Sequence, residues 1–241
     1  MDPILIYGFP AGSSMGLVAA LEWLGRPYRL CRVDMLGEMR KPPYLRLNPR
    51  VETPAFVDRD GRVVTETMAI AAWFEARDDG RRISFDPLSP QADRMHRLMA
   101  FINTGFTAAF APLWQELEMA GDPAPETRAA LKALGREWVT KRHDQLEAMI
   151  GDTTFLAGDR PTIADGLLIG VARWLDVHRV ADRNRWPKLS ALRARIEAEP
   201  AVIFATAIEA GEAAPDSGSG AFRGHLALAE VIDRFGAAPA A

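Results

Sequence analysis

The stretch Asn48-Pro49-Arg50-Val51-Glu52-Thr53-Pro54-Ala55-Phe56-Val57-Asp58-Arg59-Asp60-Gly61-Arg62-Val63-Val64-Thr65-Glu66-Thr67-Met68-Ala69 decides how this chain is read. It opens as a loop that ends on a constrained proline, Pro54. Ala55-Phe56-Val57 and Arg62-Val63-Val64-Thr65 then read as two short strands, and Asp60-Gly61 between them favours a hairpin turn. A helix follows from about Glu66, with Met68, Ile70, Ala71 and Phe74 as its apolar face. Backbone exposed beside the proline, together with the free amides of a helix N-terminus, can hold a small anionic peptide.

Upstream, Ile4-Leu5-Ile6-Tyr7 is a short apolar run stopped by Gly8, as a buried strand would be. Pro10, Gly12, Ser13 and Ser14 form a turn, after which Leu17, Ala20, Leu21 and Leu24 recur at helical spacing up to Gly25 and Pro27. Tyr28 to Val33 reads as a second strand, giving a βαβ unit with a right-handed crossover. Gly37 to Leu47 is irregular and broken by Pro42-Pro43. The order β-α-β, loop, β-β-α has the connectivity of a thioredoxin-like domain, placed at 1–83.

Pro87 and Pro90 mark a linker at 84–91. Beyond it the apolar period is helical throughout, and 92–210 reads as an all-helical domain. Met95, Leu98, Met99, Ile102, Phe106, Phe110, Leu113 and Leu117 describe one long amphipathic helix that Gly121-Asp122-Pro123 breaks. A second long helix covers about Glu126 to Ile150. Thr162-Ile163-Ala164-Asp165 has capping-box spacing and opens a helix that is apolar nearly all round, the expected centre of this half. Pro187 and Pro200 each start a further helix. The remainder, 211–241, is an extension: Gly211 to Gly220 is Gly/Ser/Pro-rich and expected to be mobile, and Leu226 to Phe235 is expected to form an amphipathic helix before a flexible end.

Hydrophobic residues make up 48% and charged residues 25% of the 241, with a net charge of −3, which argues against a basic nucleic-acid face. A single cysteine excludes an internal disulfide and fits a reducing cytoplasm. No basic, apolar leader and no apolar run approaching ~20 residues is present, so neither export nor a membrane span is expected. His96, His143, His178 and His225 lack ligand spacing, so no metal is assigned. Cys31 lies within an apolar strand and reads as a small buried hydrophobe; Tyr7, by strand alternation, reads as core.

Several segments, in order, resemble the cytosolic glutathione S-transferases from about Ile4 to Pro200. Asn48-Pro49 with Thr53-Pro54-Ala55-Phe56 resembles that family's Asn-Pro and Val-Pro-Ala-Leu segments, and Glu66-Thr67-Met68-Ala69-Ile70 its Glu-Ser segment. Gly37-Glu38 with Arg40 and Pro42 is similar to a loop of several bacterial and plant classes. Phe155-Leu156-Ala157-Gly158-Asp159-Arg160-Pro161-Thr162-Ile163-Ala164-Asp165 is the longest match, and Phe101-Ile102 with Ala111-Pro112-Leu113 resembles the bacterial beta class. The chain departs from the pattern at Val51, where glycine is usual, and at Glu52, where glutamine is. It also lacks the beta-class cysteine, and Thr107 stands where that class often has histidine.

The resemblance implies a glutathione S-transferase fold, an α/β thioredoxin-like domain followed by an all-α domain. It also implies glutathione as cosubstrate, a small hydrophobic electrophile as second substrate, and a cytoplasmic homodimer. A cis Thr53-Pro54 bond would present main-chain groups to the cysteinyl backbone. Glu66 would pair with the γ-glutamyl ammonium, Thr67 would bind its carboxylate, and Arg40 or Lys41 would take the glycyl carboxylate. The thiol activator would be Ser13, at the position of the beta-class cysteine, with Ser14 the second choice; a hydroxyl donor at a helix N-terminus favours a thiolate. Phe106, Phe110 and Trp114 would line the electrophile pocket. Two other functions remain open on this reading: a catalytically silent binding or regulatory protein, and a glutathione-dependent lyase, isomerase or dehalogenase.

Overall fold

The computed structural model describes residues 1–119, 121 and 124–237. The sequence break at Asp122-Pro123 and the chain end at 238–241 lie outside the described residues. Consecutive apolar residues in β1 (Ile4–Phe9) are buried on both faces, as a central strand requires. β1 runs parallel to β2 (Tyr28–Asp34) and antiparallel to β3 (Ala55–Val57), which pairs in turn with β4 (Val63–Thr65). Helix α1 (Met15–Leu24) makes the crossover from β1 to β2 and ends on Gly25, whose φ of 67° suits a residue without Cβ. α2 (Thr67–Glu75) follows the hairpin.

The helical half contains α3 (Pro90–Phe101), α4 (Ala111–Glu118), α5 (Pro125–Met149), α6 (Ile163–Ala172), α7 (Trp174–Val177), α8 (Pro187–Glu197) and α9 (Pro200–Ala210). The single long helix expected from Met95 to Leu117 is interrupted. Residues Ile102–Phe106 form one π turn, in which Thr107 returns both its N–H (2.9 Å) and its hydroxyl (2.8 Å) to the Ile102 carbonyl. The apolar period carries no trace of this turn, because the side chains on both sides of it still face the core. α6 is buried along its whole length. Asp165 fixes its start, accepting from Thr162 N and Oγ1 (both 2.8 Å) and from Leu156 N (2.9 Å), so the box expected from the sequence also ties in the preceding loop.

Residues 211–237 return to the sheet. β5 (Phe222–His225) adds to β2 in parallel, giving the order β4-β3-β1-β2-β5, and α10 (Leu228–Phe235) covers the face of the sheet opposite α1. There Val231 and Ile232 pack among Ile4, Ile6, Cys31, Val33, Tyr44 and Leu47. The connecting Gly/Ser segment, expected to be mobile, is anchored. Glu22 of α1 is 3% exposed, and a buried carboxylate needs donors. It takes them from Tyr28, Ser217 and Ser219, the last at 2.6 Å. No helix among the described residues is long and apolar enough to cross a membrane.

Candidate active site

At the end of β1 the chain turns through Phe9-Pro10-Ala11-Gly12-Ser13 into α1, with a cis Phe9-Pro10 bond and Ala11 at φ 55°. The helical half grips this turn by its backbone. Gly12 N–H donates to Glu209 Oε1 (2.8 Å), Gly12 O accepts from Arg173 Nη2 (2.7 Å), and Ala11 O accepts from Trp174 Nε1 (2.7 Å). Ser14 is 1% exposed, and its Oγ accepts from Gly8 N–H (3.0 Å), so this hydroxyl ties the turn back to β1. Ser13 is half-buried, one residue outside the N-cap of α1, where the dipole of the helix favours negative charge.

Thr53 and Pro54 stand immediately before the β3 ladder, which begins at Ala55, and the Thr53-Pro54 bond is cis. The Thr53 hydroxyl donates to Met35 Sδ (3.3 Å), and a Cβ placed on Gly8 would meet Thr53 Oγ1 at 2.4 Å, so Thr53 packs directly on the end of β1. The loop before it is pinned by Asn48, 2% exposed, which donates from Nδ2 to Glu52 O (2.8 Å) and accepts from Arg50 N–H (3.0 Å). Val51 within that loop sits at φ 57°. A β-branched residue in the left-handed region is strained, which accounts for glycine being the usual residue there. Val51→Gly removes that strain but frees the unfolded chain, so a net gain of about 1 kcal/mol in unfolding free energy is expected by urea titration.

Glu66 is the N-cap of α2 at φ 72° and is exposed, and Thr67 opens the helix. The Glu66 carboxylate lies 3.5 Å from Arg50, a residue that motif spacing does not single out. Across the cleft, Arg40 is exposed; its Nε donates to Met35 O (3.3 Å) and its Nη2 lies 3.6 Å from Glu118 of α4. Lys41 is exposed at the start of the next 3-10 turn.

A cavity of about 720 Å³ lies on the helical side, lined by Thr107, Ala111, Trp114, Gln115, Met119 and Trp174 among others. Trp114 and Trp174 meet edge to face at 5.2 Å. Phe106 and Phe110 do not line this cavity. Both are fully buried, packed on His143 with ring centres at 4.5 and 6.1 Å, because the π turn directs this stretch of helix against α5. Trp174, which the sequence reading placed only in an apolar helix, is the tryptophan that touches both the cavity and the β1–α1 turn.

The remaining candidates are structural. Tyr7 is fully buried and its hydroxyl donates to Ile208 O (3.1 Å); burial holds its phenol well above the usual range. Burial pushes the Cys31 thiol up to about 12, which leaves it inert. His143 donates from Nδ1–H to Val139 O (2.8 Å), and burial lowers its pKa to about 4. Among the described residues there is no group of three or more His, Cys, Asp or Glu side chains that could hold a metal.

Comparison with known proteins shows the family of the chain. The family model described as the N-terminal domain of glutathione S-transferase matches residues 14–77, and that of the C-terminal domain matches residues 96–200. A glutathione S-transferase of Xanthomonas campestris is 27% identical over 169 residues, covering 70% of this chain and 81% of that protein. A maleylacetoacetate isomerase of Pseudomonas aeruginosa is 29% identical over 186 residues, covering 70% and 85%. The crystal structure of a Sulfitobacter glutathione transferase homologue with bound glutathione superposes with a TM-score of 0.75 at 25% identity, covering 88% of this chain and 99% of that one. The chain belongs to the glutathione S-transferase family and is a glutathione S-transferase-like enzyme.

Proposed function

We propose that this protein binds glutathione along Thr53, Pro54, Glu66 and Thr67 and transfers its thiol to a small hydrophobic electrophile held in the cavity beside Trp114 and Trp174. The observation that carries the reading is the convergence of three parts at one end of the sheet. The Thr53 backbone and the N-terminus of α2 lie at the β3–β4 end, Thr53 packs on Gly8 where β1 leads into the Ser13 turn, and the apolar cavity abuts that turn through Trp174. In this reading the γ-glutamyl ammonium replaces Arg50 as the partner of Glu66, and its carboxylate takes the α2 amides and the Thr67 hydroxyl. Arg40, or Lys41 beside it, takes the glycyl carboxylate. The Ser13 hydroxyl donates to the sulfur. Rate then comes from a larger thiolate fraction near neutral pH and from holding sulfur and electrophile together. The reading extends to a cytoplasmic homodimer, for which half-exposed Leu134 and Trp138 on α5 offer an apolar strip.

The test is retention on immobilised glutathione followed by conjugation of chlorodinitrobenzene. Ser13→Ala is expected to stay on the resin and to lose about a hundredfold in kcat, the scale of removing one donor to a developing anion. Full activity in Ser13→Ala would overturn the assignment of Ser13, and retention without turnover on any electrophile would favour a silent binding protein. A second reading, cis–trans isomerisation of an unsaturated diketo acid by reversible thiol addition, draws on the likeness to the Pseudomonas isomerase. Turnover of maleylacetoacetate exceeding that of chlorodinitrobenzene would establish it instead.

A further inference from the structure

The turn that carries Ser13 is held from outside its own domain by an ion pair as well as by Trp174. Arg173, at the end of α6, binds both carboxylate oxygens of Glu209 in α9, with Nη2 to Oε1 at 2.6 Å. The two side chains are 20% and 8% exposed, so the pair is largely withdrawn from solvent. Each partner also takes one backbone group of Gly12: Glu209 Oε1 receives Gly12 N–H, and Arg173 Nη2 donates to Gly12 O. Arg32 of β2 fixes the backbone of Glu209 itself, donating from Nε (3.0 Å) and Nη2 (2.8 Å) to its carbonyl while stacking 3.3 Å over the ring of Phe9.

We infer that Arg173 and Glu209 are positioning residues for catalysis: together they fix the Gly12-Ser13 backbone and keep the charge beside it balanced. This rests on Ser13 being the thiol donor, as proposed above. The physical reason is the joint arrangement. A guanidinium or a carboxylate alone, within the first residues of the thiol site and largely dry, would shift the thiol equilibrium strongly; as a bidentate pair their fields nearly cancel. The other ionisable groups facing the pair are Arg32 from β2, Tyr7 from β1, His225 from β5, Glu197 from α8 and Glu212 after α9. Burial keeps His225 below its usual pKa and Tyr7 above its own, so both are neutral near pH 7. Glu197 is engaged with Arg193 and Arg183 on the far side of the groove. Glu212 is exposed to solvent, which screens it, so the charge at the turn is set mainly by Arg173, Glu209 and Arg32.

The two halves of the pair make opposite predictions. Glu209→Gln keeps a carbonyl oxygen for Gly12 N–H but leaves Arg173 uncompensated, so the thiol of bound glutathione should ionise more readily, with about a tenfold larger thiolate fraction at a pH below its pKa. Arg173→Met leaves the carboxylate uncompensated, so that fraction should fall about tenfold, with kcat falling and glutathione affinity kept. The double variant should return the ionisation towards wild type while kcat stays low, because Arg173's hold on Gly12 O is lost; it also serves if Arg173→Met alone does not fold. Thiolate ultraviolet absorbance of the bound tripeptide reads the first effect. Amide hydrogen exchange at Gly12 reads the second without any ligand: it should be faster in Arg173→Met and in the double variant, where the side chain at 209 that accepts this N–H is no longer held by the guanidinium, while α6 stays protected. A fold-only role would lower the melting temperature without opposite shifts in ionisation. Unchanged ionisation in both single variants, or unchanged Gly12 exchange, overturns the inference. If wild type fails to bind glutathione, the proposed function falls, and the exchange measurement alone decides whether the pair grips the turn.

Discussion

A chain ended after Ala210 is expected to lose its cooperative unfolding transition and to expose Cys31 to thiol reagents. Without 211–237, β2 loses its parallel neighbour: the ladder pairs Tyr28 with Phe222 and Leu30 with His225, and Leu226 N–H donates to Leu30 O (2.8 Å). The second apolar cluster loses Val231 and Ile232, both nearly or fully buried, and the partial cover of Leu226, Leu228 and Phe235. Burial of Val231 and Ile232 alone is worth about 4 kcal/mol at ~2 kcal/mol for each side chain. Glu22 also gives up two of its hydroxyl donors while staying buried against Tyr28, at a further ~1–3 kcal/mol. These losses together approach the whole stability of an ordinary domain, about 5–15 kcal/mol. Val231→Asp is the milder form, expected to lower the melting temperature and to speed Cys31 labelling without removing β5. A truncated chain that melts within a few degrees of wild type, with Cys31 still unreactive, would show the extension to be an appendage.

How the extension folds was half legible in the sequence. The amphipathic Leu228–Phe235 helix shows in its spacing, since the residues that are buried recur at helical steps. β5 does not: Phe222-Arg223-Gly224-His225 is short and contains glycine, and it becomes a strand only because the edge of β2 is there to receive it. The same contrast holds at the site. Thr53, Pro54, Glu66 and Thr67 lie within one short stretch, where turn and capping chemistry make them visible. Arg173, Trp174 and Glu209 reach the Ser13 turn from more than a hundred residues away in the chain, and each sits in an ordinary helical pattern. Phe106 and Phe110 share the helical period of Trp114, yet only Trp114 reaches the cavity, because the π turn and the short 3-10 segment after it change which way the helix faces. Patterning shows that a residue is apolar and on a face; which partner covers that face is decided by packing.

Gly16→Ala is expected to destabilise the protein, although alanine is the better helix former. Within an exposed helix the exchange would gain about 1 kcal/mol. Here α1 crosses α6 backbone to backbone. A Cβ on Gly16 would lie 1.8 Å from Gly166 O and 2.7 Å from its carbonyl carbon, and one on Gly166 would lie 2.6 Å from Gly16 O. A side chain could rotate away from such a contact, but a helix carbonyl cannot without moving α6, which is buried throughout. Overpacking of this kind costs ~1–3 kcal/mol and more where backbone must shift, so the steric term wins and a net loss of about 2–3 kcal/mol follows. For a chain of this size that is a fall of roughly 5–10 °C in melting temperature. Gly80→Ala, whose Cβ would meet nothing closer than 3.6 Å, is the control expected to change little. Gly170 separates stability from function, since a Cβ there would lie 2.2 Å from Ser13 O, on the turn itself. Gly170→Ala should therefore lower kcat for glutathione conjugation by more than Gly16→Ala at equal loss of stability. A neutral or stabilising Gly16→Ala would mean that α1 and α6 stand farther apart than this crossing places them, and with them the two halves of the cleft.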